Sequence, residues 1–165
     1  LKTPLIVAAT DIGKGEVVYF NQGQLIEPIL ASSCIPGMFE PIEYDSRYLV
    51  DGGVLNNLPV EPLQSSCEVL IGVNCNHLPE LAAVRNVKNL LERAVMMNMN
   101  FNAYSRKSAC TYFIEAPGLG QFGVFDLKKA PEFFQAGYNQ AMKVIEANPS
   151  LLEISTHIQP QPSDL

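Results

Sequence analysis

The chain has 165 residues, with 11 Lys and Arg against 17 Asp and Glu, and the resulting formal charge of −6 argues against a nucleic-acid binder, which needs a basic face. Charged residues make up 17% and apolar ones 47%, a composition that builds a core, and the length suits one domain. No apolar run approaches the roughly 18 residues of a membrane span, and the opening run Leu5 to Ala9 is too short for a secretion signal.

Pro4 to Thr10 and Glu16 to Phe20 are strand-like runs around the Gly-containing segment Asp11 to Gly15, which predicts a β-hairpin. Leu25 to Cys34 suits a short helix with Pro28 near its start, ended by Pro36 and Gly37. Tyr48 to Val50 reads as a short strand leading into Asp51-Gly52-Gly53. The continuous apolar run Val69 to Asn74 reads as a strand covered on both faces. From Val84 to Cys110, Val87, Leu90, Ala94, Met97, Phe101, Tyr104 and Ser108 recur at intervals of three and four, the pattern of a long helix whose buried stripe includes Met97 but not Met99. Thr111 to Glu115 suits a strand, Ala116 to Lys129 a glycine-rich loop, and Pro131 to Ala147 a second helix. Beyond Asn148 the pattern fades into a poorly structured tail. Strands alternating with helices make the fold class α/β, with the domain over 1–147 and the tail over 148–165.

Few residues qualify as chemical candidates. The four cysteines, Cys34, Cys67, Cys75 and Cys110, match neither a redox pair nor a zinc pattern, and read as buried free thiols of a reducing compartment such as the cytoplasm. Gly118 to Gly123 fits G-x-G-x-x-G after a strand, but the following residues continue extended where a phosphate-binding helix should open, so a surface loop is the better reading. Of the two histidines, His157 lies in the tail, and His77 follows the run Val69 to Asn74 at what would be the carboxyl edge of a sheet. His77 as base with Asp51 as its orienter and Cys34 or Cys75 as nucleophile is conceivable, with no local signature behind it.

The sharpest feature is Tyr48 to Val60. A strand that delivers the carboxylate of Asp51, followed by Gly52 and Gly53, either places an acceptor in an open crevice or builds an Asx turn, with Asn56 and Asn57 in a second turn.

At these residues the sequence resembles the patatin-like phospholipases, in particular the C-terminal part of their compact bacterial members. The likeness is carried by Ala9-Thr10-Asp11 with the Gly15 hairpin, by Ala31-Ser32-Ser33-Cys34-Ile35-Pro36-Gly37-Met38-Phe39 leading to Pro41, and by Val50-Asp51-Gly52-Gly53-Val54 with Asn57-Leu58-Pro59-Val60. Gly137, Tyr138 and Ala141 are compatible with it, so it covers roughly residues 4–147. The resemblance implies a three-layer α/β/α sandwich and a serine/aspartate dyad without histidine, metal or cofactor, in which Asp51 is the acid of the D-G-G motif. It also implies an acyl lipid or phospholipid substrate, met in the cytoplasm or at the membrane periphery. None of the ten serines stands in G-x-S-x-G, so the nucleophile, the oxyanion segment and further strands of the sheet are expected upstream of Leu1. The chain alone should then be inactive and prone to self-association through uncovered edges. A regulatory or binding module of the same fold is the alternative.

Overall fold

The computed structural model describes residues 1–78, 80, 83, 86–116, 119 and 127–157, and they form a mixed α/β structure. The predicted hairpin is β1 (Val7–Asp11) and β2 (Glu16–Phe20), paired from Val7↔Phe20 to Asp11↔Glu16. Its turn is built by one side chain: Asp11 Oδ1 accepts from the amides of Gly13 (3.0 Å) and Lys14 (3.1 Å), and Gly15 takes φ +70.

Two more strands extend this sheet. β3 (Ile42–Tyr44) and β4 (Arg47–Asp51) pair antiparallel, and the four strands lie in the order β2-β1-β4-β3. The sequence pattern has no counterpart for β3. Its turn places Asp45 at φ 51 and Ser46 at φ 58, a left-handed pair of the kind that Asn-Gly normally announces, and here no glycine marks it. Helix α1 (Ile26–Ser32) lies within the expected range 25–34 and packs on the sheet through its buried Pro28 and Ala31. The core there joins Ala9, Ala31 and Leu49, all fully buried, with Phe20 and Tyr44 in edge-to-face contact at its rim.

The second half is built on a parallel pair, β5 (Ile71–Asn74) and β6 (Tyr112–Glu115), connected through helix α2 (Val87–Arg106). α2 starts at Asn86, whose side chain accepts the Asn89 amide at 2.8 Å. A second core joins Leu58, Val60 and Ala103, with Cys110 and Phe113 packed against it. Helix α3 (Ala130–Ala147) runs beside β6. Ser150–His157 forms a further helix, α4, where the sequence pattern suggested only a tail, and the Tyr112 and Ser150 hydroxyls meet at 2.9 Å. None of the described helices is long and apolar enough to cross a membrane.

Three burial expectations need correction, the first being the cysteines: Cys34 is buried and Cys110 half-buried, but Cys67 and Cys75 are exposed. The run at β5 is not covered on both faces: Gly72 and Asn74 are buried, whereas Ile71 and Val73 on the other face are half exposed. In α2 the buried positions are Met99 and Ala103, while Met97 is exposed with the rest of the anticipated stripe. Polar tethers set the rotation of this helix about its axis. Asn98 Nδ2 donates to the Val54 carbonyl (2.6 Å), Asn100 Nδ2 to the Asn76 carbonyl (2.7 Å), and Arg106 pairs with Glu61. A stripe of apolar residues shows that a face can be covered, and these bonds decide which face is.

Candidate active site

Strand β4 runs between β1 and β3, with Leu49 and Val50 buried, and ends at Asp51. Its last amide, that of Asp51, donates to the Cys34 carbonyl just past α1 at 3.0 Å. Asp51 then caps a 3-10 turn over Gly52–Val54: its Oδ1 accepts the Gly53 amide at 2.7 Å. The Asx turn is therefore present, and it engages one carboxylate oxygen. Among the described residues Oδ2 takes no hydrogen bond.

Both glycines are required by close approach. A Cβ on Gly52 would strike the carbonyl of Ala8 in β1, and one on Gly53 would strike the end of Met99 from α2. The turn is thereby pressed between the sheet and α2, and Asp51 is half buried at the wall of an open cleft of about 470 Å³. Apolar side chains of Leu5, Ile6, Val7, Ile29 and Pro59 line that cleft, together with Ser32 and Asn57. Burial pushes the Asp51 carboxyl above its ordinary range, an effect the bond from the Gly53 amide only partly offsets.

Asn56 is the keystone of the turn's support. It is fully buried, its Oδ1 accepts the Leu58 amide at 3.2 Å, and its Nδ2 donates to the Tyr19 hydroxyl (2.9 Å) and to Glu61 Oε2 (2.8 Å). Tyr19 also donates to Glu61 at 3.3 Å, and Glu61 holds Arg106. Burial raises the Glu61 carboxyl, but its bonds from Arg106 and Asn56 outweigh this and leave it below its ordinary range. Burial likewise pushes the Tyr19 hydroxyl up. Asn56→Ala leaves the buried Leu58 amide without its acceptor and removes two donated bonds from Tyr19 and Glu61, which keep their bond to each other, and the expected loss is about 2 kcal/mol in urea denaturation. Asn57→Ala removes only a 3.4 Å contact with Asn76 from a half-buried position, and the expected loss is under about 1 kcal/mol.

The remaining candidates separate cleanly. Ser33 donates to the Ile29 carbonyl at 2.9 Å within its own helix turn, and neither it nor Ser32 bonds Asp51. Cys34 is buried with its thiol on the Glu40 carbonyl, and burial together with the nearby Asp51 raises its pKa, so it is held as an unreactive thiol. His77 does follow β5, but its neighbour is Glu115, 3.8 Å away, so Asp51 is not its orienter. Glu115 also accepts from Asn74 at 2.6 Å and from Tyr104, whose hydroxyl is pushed up to about 12 chiefly by that bond. Gly118, Gly120 and Gly123 lie outside the described residues.

The profile of the patatin family, described as patatin-like phospholipase, matches residues 3–63, the stretch from β1 through the Asp51 turn. This stretch is thus similar to the patatin-like phospholipases. An uncharacterized NTE family protein of Mycobacterium bovis is 40% identical over 77 residues, which cover 46% of this chain and 21% of that relative, and a counterpart in Mycobacterium tuberculosis matches equally. A different uncharacterized NTE family protein of Mycobacterium tuberculosis is 21% identical over 169 aligned positions, covering 87% of this chain and 29% of its own length. The chain spans less than a third of the length of these relatives. Its matched segment contains the Asp51 turn itself, while Asn98, Met99 and Arg106 of α2, which bear on the turn and its support, lie outside it.

Proposed function

We propose that this chain supplies the acid of a serine/aspartate dyad in a lipid acyl hydrolase, with Asp51 as the base and the nucleophilic serine and oxyanion donors contributed by polypeptide outside these 165 residues. The observation that carries the reading is the state of the Asp51 carboxylate. One oxygen is locked by the Gly53 amide, the other is free of hydrogen bonds among the described residues, and the group borders an apolar-walled cleft. Among the described residues Oδ2 is the oxygen whose lone pairs are all open to a further serine hydroxyl.

The chemistry follows from that geometry. A serine hydroxyl is a poor nucleophile until a neighbour takes its proton, and an ordinary carboxylate is a weak base for that step. Partial burial raises the basicity of Asp51, and the Gly53 bond keeps its orientation. The hydroxyl oxygen attacks the acyl carbonyl as its proton passes to the carboxylate. The proton then goes to the departing alcohol, and water hydrolyses the acyl-enzyme by the same route. The apolar wall of Leu5, Ile6, Val7 and Ile29 suits an acyl chain, and an acyl lipid or phospholipid at the membrane periphery is the substrate class.

The same reading interprets the fold as part of a three-layer α/β/α sandwich. The half-exposed Ile71 and Val73 of β5 are then a sheet face that awaits its cover. The direct test is ester hydrolysis. The 165-residue chain should leave p-nitrophenyl butyrate unhydrolysed above a buffer control, and a polypeptide that joins it to a G-x-S-x-G segment should turn the ester over. Turnover by the chain alone that Ser32→Ala or Ser33→Ala removes would place the nucleophile within it and overturn the proposal.

A further inference from the structure

A line of hydrogen bonds connects the surface of α2 to the Asp51 carboxylate. The Asn98 side chain, exposed on α2, donates through Nδ2 to the Val54 carbonyl at 2.6 Å. That carbonyl shares its peptide group with the Leu55 amide, which donates to the Gly52 carbonyl at 3.2 Å. The Gly52 carbonyl shares its peptide group with the Gly53 amide, the donor that holds Asp51 Oδ1 at 2.7 Å. The bonds therefore run head to tail through two peptide groups and end on the carboxylate.

The planarity of each peptide group makes such a line stiff, and each bond in it polarises the next. Donation to the Val54 carbonyl makes the Leu55 amide a better donor, and donation to the Gly52 carbonyl does the same for the Gly53 amide. The Asn56 amide supports the line midway, on the same Gly52 carbonyl at 2.8 Å. Met99 backs the turn, its side-chain end standing where a Cβ on Gly53 would be. Asn98 and Met99 are consecutive in α2, so one register of the helix sets both the bond at Val54 and the contact at Gly53.

We propose that Asn98 is a positioning residue for the Asp51 carboxylate, acting through the Val54 and Gly52 peptide groups to keep the Gly53 amide on Oδ1. Its consequence for catalysis rests on the hydrolase reading, whereas its hold on the carboxylate does not. Stability alone is a weak reason for the bond: an exposed amide exchanges water for the carbonyl at little net gain, and α2 is tethered elsewhere through Asn100 and Arg106. Asn100 supplies the internal control. It makes a bond of the same kind, to the Asn76 carbonyl at 2.7 Å, and that carbonyl lies outside the line to Asp51.

The test is nuclear magnetic resonance of the 165-residue chain, with the Asp51 carboxyl carbon followed against pH. The Gly53 bond favours the ionised carboxylate and opposes the burial that raises its pKa, so weakening that bond in Asn98→Ala should move the Asp51 midpoint further up. Alanine favours helix more than asparagine, so helix content should hold and the melting temperature should fall by about 4 °C or less. Asn98→Leu, which keeps the shape without the donor, should repeat the shift, and Asn100→Ala should leave the midpoint where it is in the parent. In a polypeptide that also carries the nucleophile, at a pH above both midpoints, Asn98→Ala should lower kcat about tenfold with KM held. A midpoint that stays put in both Asn98 variants, or that moves equally in Asn100→Ala, would overturn the proposal. A midpoint that moves as expected while Asp51→Asn keeps full turnover would instead reject the hydrolase reading and leave the positioning role standing.

Discussion

Asp51→Asn, placed in a polypeptide that carries this chain with its nucleophile, should lower ester turnover by about 1,000-fold, within the range expected for removing a positioned general base. The amide keeps the bond from Gly53 through its oxygen but cannot take the serine proton. Stability should move little, and its direction follows from the raised pKa of Asp51. A carboxyl held above its ordinary range binds its proton more tightly folded than unfolded. The wild-type protein therefore loses stability as pH rises from the ordinary carboxylate range through the raised value, and keeps that deficit above it. The Asn variant lacks this titration, so its midpoint should overtake that of the wild type across the same window. Activity has the opposite requirement, because the base must be ionised, and the wild-type rate should fall as pH drops through the raised value. Turnover close to wild type in Asp51→Asn would reject the assignment of Asp51 as the base.

Among the described glycines, Gly52→Ala should be the most destabilising substitution by alanine. The new Cβ meets a backbone carbonyl, that of Ala8, and the neighbouring register Ala9↔Asp51 ties the same two strands together. Neither partner can rotate away, so β1 and β4 must part, and the expected cost is about 3 kcal/mol, at the upper end of overpacking. At this chain length that lowers the melting temperature by roughly 10 °C. Gly53→Ala is a useful contrast. Its Cβ would meet the flexible tip of Met99, which can withdraw, but also Asn57 Oδ1 and Asp51 Oδ1. Its effect should fall on the carboxylate's position, and so on activity, more than on the melting temperature. Equal melting temperatures for Gly52→Ala and the wild type would show that the strands are not held that closely.

What could be read along the chain was local. Asp11 and Gly15 announce a hairpin because the turn uses a side chain and a glycine two to four residues apart. The D-G-G turn is legible for the same reason, since Asp51 caps its own neighbour, and α1, α2 and α3 follow from apolar period and proline placement. These features depend on contacts within a few residues, whose geometry the backbone dictates.

The features that escaped depend on distant partners. Strand β3 turns on Asp45 and Ser46, residues with no intrinsic need for left-handed backbone, and it exists because β4 offers it an edge. The support of the Asp51 turn joins Tyr19 to Glu61 across 42 positions and Glu61 to Arg106 across 45, and no local pattern relates residues so far apart. The sequence alone determined that α2 would be a helix with an apolar seam and that Asp51 would end a strand. Only the tertiary structure decided that the seam faces outward and that Asp51 has one free oxygen at a cleft, because burial and hydrogen bonding are properties of the neighbours a residue meets, not of the residue itself.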